Sequence, residues 1–173
     1  KDAELVALFQ DEPLAFEPGT KFAYCNSGYY LLGMIVKAVS GKDYCSFLQD
    51  EFFTPLKLER TRCDSNERLI KNRAQGYRLV GDKIANDQMM SMQTPGAAGM
   101  LISSARDLVT WASLLESGKV VSSESYKQMC TPFELADGES TGYGFGLGIK
   151  ESDGRREVEH GGGIFGFNSD LAS

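Results

Sequence analysis

The chain has 173 residues, of which 42% are hydrophobic and 24% are charged, an ordinary composition for one globular domain. Its 18 basic and 24 acidic residues give a net charge of −6, and no basic run or basic helical face occurs, so we expect no nucleic-acid partner. No apolar run approaches the roughly 20 residues of a membrane-spanning helix. The Lys1 end has no signal-peptide pattern.

Helices are predicted to dominate the first three quarters of the chain. Apolar residues repeat at helical spacing over 32–39, after an opening at Asn26 or Ser27, and Gly41 is placed as the C-terminal cap. A second helix is predicted to follow Asp43. The first part of the chain is therefore expected to be mainly helical.

Two further helices are predicted in the middle of the chain, beyond residues 63–93, which have no clean period. Ser104 and Asp107 resemble a capping box, and the apolar stripe that follows them stops at Gly118. A shorter helix is expected over about 123–129.

The last quarter of the chain has the pattern of strands. Apolar side chains occupy every second position over 143–149, which is the period of a strand. The Asp-Gly dipeptide at 153–154 predicts a hairpin turn. A returning strand over 155–159 would place His160 at its far end, and residues 167–172 would begin a third strand. We therefore expect the beginning of an antiparallel sheet.

Cysteine usage indicates no particular class of site. The four cysteines are widely spaced and include no Cys-x-x-Cys pair, so neither a zinc site nor a disulfide-dense scaffold is signalled, and we expect no metal or other cofactor. One of them, Cys25, could form a thiol and imidazole pair with His160, although nothing distinguishes it from the other three.

Short motifs also fit other enzyme classes. Residues 138–142 fit the G-x-S-x-G motif of alpha/beta-hydrolases, and residues 160–163 fit their HGGG oxyanion motif. That fold requires a strand before Ser140 and a helix after it, whereas a polar stretch precedes it and a strand pattern follows. Residues 161–166 fit a dinucleotide-binding fingerprint, but no beta-alpha-beta unit surrounds them. We give these short matches little weight.

Four longer segments, in order, resemble one known family. Residues 18–29 read PGTKFAYCNSGY, similar to the PGT-x-x-x-Y-S-N-x-G-Y segment of the serine beta-lactamase-related family, which includes class C beta-lactamases, D-Ala-D-Ala carboxypeptidases, D-aminopeptidases and related esterases. Residues 95–108 read PGAAGMLISSARDL, similar to P-A-G-G-x-x-S-T-A-x-D-L, and residues 143–148 read YGFGLG, similar to Y-G-x-G-x-G. Residues 160–162 read HGG, where the family has K-T-G or H-x-G.

The resemblance implies an α+β (mixed α/β) protein with a beta-lactamase/DD-peptidase-like fold. Residues 1–173 would form a partial domain, with a mostly helical part over about 1–132 and a sheet hairpin with the start of a third strand over about 141–173. The family's S-x-x-K nucleophile pair is absent, because no serine here has a lysine three residues later. In the family that pair lies upstream of the Pro-Gly-Thr segment and further strands lie downstream, so missing N- and C-terminal segments of the same protein are expected partners.

The resemblance also implies catalytic residues. Tyr24 and Asn26 correspond to the Y-x-N motif, in which Tyr24 would shuttle protons to or from the nucleophilic serine and the leaving group. Asn26 would hold the substrate carbonyl or the catalytic lysine. The Tyr24 hydroxyl and the His160 ring would face one cleft, within about one hydrogen bond or one bridging water of each other, with Asn26 on the same wall. Taken singly, each has an ordinary structural alternative: a helix cap for Asn26, a half-buried aromatic for Tyr24 and a strand-end histidine for His160.

Three glycines would form the substrate-binding strand. Gly161 and Gly162 would keep the strand bare enough for a substrate to lie along it, and the Gly163 N–H would be one oxyanion donor. The implied function is a serine hydrolase that cleaves an ester or amide (a beta-lactam, a D-amino-acid peptide or a carboxylic ester) through an acyl-enzyme. Its partner would be a small-molecule or peptide substrate. This chain alone would be inactive without the nucleophile, and the alternative is a non-catalytic binding or scaffolding module.

Overall fold

A computed structural model describes residues 2–173. The helices are α1 (Asp2–Val6), α2 (Asn26–Ser40), α3 (Tyr44–Leu48), α4 (Ala105–Glu116) and α5 (Ser123–Met129), with a π-helical turn at Gln49–Phe53 and a 3-10 turn at Gly96–Ala98. The strands are β1 (Arg62–Cys63), β2 (Tyr77–Val80), β3 (Lys83–Asn86), β4 (Leu101–Ile102), β5 (Gly148–Ser152), β6 (Arg155–Ile164) and β7 (Phe167–Ala172). Helices and antiparallel strands thus share the chain, as the mixed α/β class predicts.

All strand pairs are antiparallel. β1 pairs with β4, β2 with β3, and β5, β6 and β7 form a sheet in that order. Side chains of α4 and α5 meet one face of this sheet, where they line a small cavity together with Val158, His160 and Leu171. The most buried apolar side chains are Phe53, Leu58, Leu115 and Cys130.

The helix ends follow their capping residues. Asp43 accepts from the Ser46 N–H at 3.0 Å, and Ser104 from the Asp107 N–H at 3.2 Å. The predicted start of a helix after Asp43 and the predicted cap at Ser104 are therefore confirmed. The predicted opening of α2 is confirmed, since Asn26 is its first helical residue. The cap is Cys25, whose thiol accepts from the Gly28 N–H, so the alternative that Asn26 caps the helix is wrong.

The predicted strand over 143–149 is wrong in its first half, because the chain turns there. Gly142 and Gly146 have φ values of 65° and 76°, and the Gly144 N–H donates to the Leu147 carbonyl at 2.8 Å. The strand β5 begins only at Gly148. Apolar residues at every second position also occur in turns, and here the positive φ values of the two glycines turn the backbone away from a strand.

The hairpin is confirmed, but its second strand is longer than predicted. Asp153 and Gly154 have φ values of 52° and 71°, as a two-residue type I′ turn requires. β6 continues beyond the predicted end at Glu159 through to Ile164, because β7 pairs with that half of the strand. His160 and the three glycines therefore lie within a strand.

A disulfide that the cysteine spacing did not indicate joins Cys45 of α3 to Cys63 of β1. β1 lies at the start of residues 63–93, where no periodicity was found, and pairs with β4 beyond that region. Asp64 follows Cys63 directly, and its carboxylate is 2.7 Å from the Arg73 guanidinium. The exposed fraction of Asp64 is 8%. The disulfide thus ties the start of this irregular segment to α3, and the ion pair joins the two ends of residues 64–73.

Cys45→Ala combined with Cys63→Ala is expected to lower the free energy of unfolding by about 2 to 3 kcal/mol, because the cross-link constrains the unfolded chain. The bonded residues are 18 positions apart. Urea unfolding with and without reductant would measure this, and reductant should no longer matter in the double variant. Cys25→Ser is the control, because Cys25 is a free, exposed cysteine. Equal reductant sensitivity of the wild type and the double variant would contradict the pairing.

One face of α2 is apolar and exposed. Leu32, Ile35 and Val39, which produced the helical period, are 49%, 55% and 83% exposed. The opposite side of the helix packs on the turn at Gly96–Ala98, where a Cβ on Gly33 would lie 2.3 Å from the Ala97 Cβ. Within residues 2–173, no helix has both the length and the apolar composition that crossing a membrane requires.

Candidate active site

Tyr24 lies at the end of an extended segment that leads into α2. The segment starts at a turn in which Gly19 has a φ of 83°. The Gly19 carbonyl accepts a hydrogen bond from the Ala136 N–H at 2.9 Å, which ties the segment to the loop before β5. Cys25, with extended φ and ψ of −138° and 104°, then caps α2. Tyr24 is thus held between two anchored points, although its side chain is 54% exposed.

β6 brings His160 to Tyr24. The ring centroids of these two residues are 6.1 Å apart with an interplanar angle of 41°. The segment before α2 and the middle of β6 are far apart in sequence, so only the tertiary fold brings them together. The closeness of the two rings agrees with the expectation, but among residues 2–173 no hydrogen bond joins the Tyr24 hydroxyl to His160. Tyr24 lines the open cleft described below and His160 lines the small cavity against α4 and α5, so a cleft shared by both rings stays a prediction.

A third ring, that of Tyr143, completes the cluster. The Tyr143 hydroxyl lies 3.0 Å from Nε2 of His160, and the two ring centroids are 6.1 Å apart. Tyr143 also meets Tyr24 edge-on at 6.3 Å and the ring of Phe22 at 5.2 Å. Burial raises the pKa of the Tyr143 phenol well above its ordinary value, and the neighbouring phenols of Tyr29 and Tyr24 raise it further. Tyr143 therefore stays protonated at neutral pH.

Sequence reasoning did not identify Tyr143 as a site residue. It begins the YGFGLG segment, and its apolar neighbours at every second position suggested a strand. The available signal was the tyrosine hydroxyl itself, at the start of a segment with three glycines. That hydroxyl reaches His160 because the chain turns at Gly142 and Gly146.

Asn26 lies in the first turn of α2, two residues after Tyr24. It is exposed, and within residues 2–173 no hydrogen bond of its side chain is present. The side-chain amide is therefore available to another molecule or segment. The cap position that it was alternatively expected to fill belongs to Cys25.

Gly161, Gly162 and Gly163 form the half of β6 that β5 does not cover. The β5 pairing ends with Gly148 opposite Glu159, so no described strand pairs with residues 160–164 on that side. Reciprocal hydrogen bonds join Val158 to Ser173, at 2.9 and 3.0 Å. Along an antiparallel strand, the N–H and C=O groups of successive residues point alternately to one neighbouring strand and to the other. Since those of Val158 point towards β7, those of Gly161 and Gly163 point to the open side.

Gly162 has a different role, since its backbone groups point to β7. A Cβ on Gly162 would lie 2.6 Å from Oγ of Ser169, whereas a Cβ on Gly161 or Gly163 would make only ordinary contacts. Gly161 and Gly163 thus form an open edge that no side chain covers. Gly162, between them, leaves room for the Ser169 side chain of β7.

An open cleft of about 330 Å³ adjoins this cluster. Its walls are the segment before α2, the first turns of α2 and the Tyr143 ring, and its lining is mostly aromatic or aliphatic: Phe22, Ala23, Tyr24, Cys25, Gly28, Tyr29, Leu32 and Tyr143. The cleft is continuous with the exposed apolar face of α2 through Leu32. An apolar segment could lie along both.

The other hypotheses from short motifs gain no geometric support. Ser140 forms an isolated bridge with Glu134 and does not lie on the strand-to-helix turn that a nucleophile elbow requires. The thiol of Cys25 caps α2, and among residues 2–173 no hydrogen bond joins it to His160. In the same residues, no group of three or more His, Cys, Asp and Glu side chains is arranged to hold a metal ion.

Comparison with known proteins identifies consistent relatives. A family model described as "Beta-lactamase" matches residues 1–170. The D-aminopeptidase of Brucella anthropi is 29% identical over 154 residues, which are 88% of this chain and 29% of that protein. The D-aminopeptidase of Gluconobacter oxydans (strain 621H) is 27% identical over 156 residues, 90% of this chain and 30% of that protein. The chain thus spans about 30% of the length of these relatives.

Solved structures share the fold. The D-stereospecific amidohydrolase from Streptomyces sp. superposes with a TM-score of 0.86 at 26% identity, covering 99% of this chain and 52% of that one. The octameric penicillin-binding protein homologue from Pyrococcus abyssi superposes with a TM-score of 0.84 at 27% identity, covering 100% of this chain and 41% of that one. This chain therefore has the architecture of a part of each.

Proposed function

Because this chain belongs to the beta-lactamase family, whose model it matches over residues 1–170, we propose that it supplies one wall of the active site of a serine hydrolase that cleaves an ester or amide through an acyl-enzyme. The observation that carries the proposal is the meeting of Tyr24 and His160, with ring centroids 6.1 Å apart, beside the open edge of β6. A proton-transferring phenol and a strand edge with free amides are two of the parts that such a reaction needs.

Each residue has one part in the proposed reaction. A serine hydroxyl from another segment attacks the substrate carbonyl, Tyr24 relays the proton to the departing amine or alcohol, and an ester to the serine remains. The Gly163 N–H, on the open side of β6, donates to the developing oxyanion. Water then attacks the ester, and the serine recovers its proton through the same phenol. Asn26 holds the substrate carbonyl or the basic group next to the serine.

The nucleophile is proposed to come from a segment of the same protein outside residues 1–173. Two observations support this: no S-x-x-K pair occurs in the chain, and the chain covers 41% to 52% of the solved relatives described above. Leu32, Ile35 and Val39 on α2 are largely exposed and continue from the apolar cleft beside Tyr24. An apolar helix laid along that face would bury these side chains and bring its serine to Tyr24.

The substrate is proposed to be an amide or peptide of a D-amino acid. The relatives support this choice, because they include D-aminopeptidases and a D-stereospecific amidohydrolase. Gly161 in place of a threonine also favours it, since a hydroxyl that helps to recognise a carboxylate is absent from the strand. The open backbone edge at Gly161 and Gly163 suits a peptide-like substrate, whose own amides can pair with it.

The proposal is tested on the whole protein that carries this chain. Incubation with a fluorophosphonate probe should label one serine outside residues 1–173, and the unlabelled protein should hydrolyse D-alanine amide faster than L-alanine amide. The 173-residue chain alone should be neither labelled nor active. Labelling of Ser140 or Cys25, or turnover by the chain alone, would show that the nucleophile has been wrongly assigned.

A non-catalytic binding or scaffolding module is the second candidate, favoured by the absence of S-x-x-K from the chain. Such a module would keep the cleft and the open strand without acylation. A whole protein that binds the D-amide, yet is never labelled and never releases ammonia, would support this candidate over the hydrolase.

A further inference from the structure

The polar contact of His160 with Tyr143 constrains the histidine more closely than its contact with Tyr24. Nε2 lies 3.0 Å from the Tyr143 hydroxyl, whereas Tyr24 approaches only through its ring, at 6.1 Å between centroids. A neutral imidazole has one N–H donor and one basic nitrogen, so this single contact decides which nitrogen carries the proton.

The chemistry of the two groups favours the phenol as donor. An imidazole nitrogen is a stronger base than a phenol oxygen, and a phenol is a stronger acid than a neutral imidazole N–H. The O–H to nitrogen bond is therefore the stronger of the two arrangements of this contact. The Tyr143 hydroxyl also has a side-chain hydrogen bond with Tyr29, but its single proton goes to the more basic partner, which is the imidazole nitrogen. Tyr143 also keeps its proton, because its burial and the nearby phenols of Tyr29 and Tyr24 oppose the phenolate.

The backbone holds Tyr143 in place for this contact. The Tyr143 carbonyl accepts from the Phe133 N–H at 2.9 Å and from the Thr141 hydroxyl at 3.0 Å, and its N–H donates to the same hydroxyl at 3.2 Å. The ring rests on Phe22. Because both the backbone and the ring of Tyr143 are held in place, its hydroxyl can hold the His160 ring in one orientation.

We propose that Tyr143 is the positioning residue of His160: its hydroxyl donates to Nε2, so that neutral His160 carries its proton on Nδ1. This is the less common tautomer of a free histidine. With Nε2 occupied, His160 serves the site as a hydrogen-bond donor through Nδ1, and proton abstraction is left to Tyr24. That consequence for catalysis rests on the proposed function, whereas the tautomer can be measured without any activity.

The experiment uses the whole protein that carries this chain, with 15N-labelled histidine in alkaline buffer, where imidazole is neutral. His160 is the only histidine of residues 1–173. Its ring nitrogens are identified by their loss in the His160→Gln variant. The wild type should show a pyridine-like Nε2 and a pyrrole-like Nδ1. In Tyr143→Phe, the Nε2 resonance should shift to the pyrrole-like position.

Tyr126→Phe is the matched control, because Tyr126 lines the same small cavity as His160 without bonding to it, and this variant should leave both resonances in place. A pyrrole-like Nε2 in the wild type overturns the inference, and that result needs no variant to fold. Unchanged resonances in a folded Tyr143→Phe protein overturn it as well. In either case, turnover of D-alanine amide would leave the proposed hydrolase standing, whereas the expected shift in a protein without turnover would support the positioning role and count against the proposed activity.

Discussion

Tyr24→Phe in the whole protein is expected to lower kcat/KM for amide or ester hydrolysis by about 10²- to 10⁴-fold, the usual contribution of a positioned acid or base. The variant removes only the hydroxyl that is proposed to relay protons between the serine and the leaving group. Substrate binding should change little, because the ring remains and still meets His160 and Tyr143. The loss should therefore appear in kcat more than in KM.

Folding should not change in this variant, since the Tyr24 side chain is 54% exposed. Tyr77→Phe provides the control: Tyr77 is 55% exposed on β2, outside the cluster, and loses the same atom. Steady-state rates with D-alanine amide and thermal unfolding of both variants complete the comparison. A Tyr24→Phe protein that retains wild-type kcat would remove the tyrosine from the mechanism and leave the Y-x-N resemblance without a chemical role.

The largest loss of stability is expected from Asp107→Ala, at about 2 to 4 kcal/mol. The Asp107 carboxylate, with an exposed fraction of 7%, accepts from the Arg60 N–H at 2.8 Å and from the Thr61 hydroxyl at 2.9 Å. It thereby joins the start of α4 to the chain just before β1. Removing it leaves the Arg60 N–H without its acceptor in a partly buried region, and an unpaired buried donor is costly.

Asp107→Asn separates the hydrogen bond from the charge. An amide oxygen can still accept from the Arg60 N–H, so this variant should lose only about 1 kcal/mol. Glu116→Ala is the control, since Glu116 is an exposed carboxylate on the same helix. Urea unfolding monitored by circular dichroism would rank the three. If Asp107→Ala unfolded at the same urea concentration as Glu116→Ala, the bonds to Arg60 and Thr61 would carry no net stability.

Asp107 also explains part of one landmark segment in physical terms. The A-x-D-L portion of residues 95–108 resembles a segment of the family, and its aspartate accepts hydrogen bonds from Arg60 and Thr61, away from Tyr24 and His160. The Ser104 cap of α4 immediately before it is a second structural feature of the segment. Resemblance in a motif therefore does not by itself separate catalytic residues from residues that hold the fold.

The sequence alone determined the local features of this protein and its family. The start of α3 after Asp43, the cap at Ser104, the end of α2 at Gly41 and the Asp-Gly hairpin turn were all predicted, because each depends on a residue and its near neighbours. Four ordered segments indicated the family, which the match over residues 1–170 confirms, together with the mixed α/β fold.

Which side chains meet depends on how distant segments of the chain pack together. The bond between Tyr143 and His160, the disulfide between Cys45 and Cys63, and the open side of β6 depend on contacts between distant segments, and no local period encodes them. The alternation at 143–149 predicted a strand because a two-residue period describes side-chain spacing, not backbone direction. Positive φ values at Gly142 and Gly146 set the backbone direction there, and the same side-chain spacing is compatible with them.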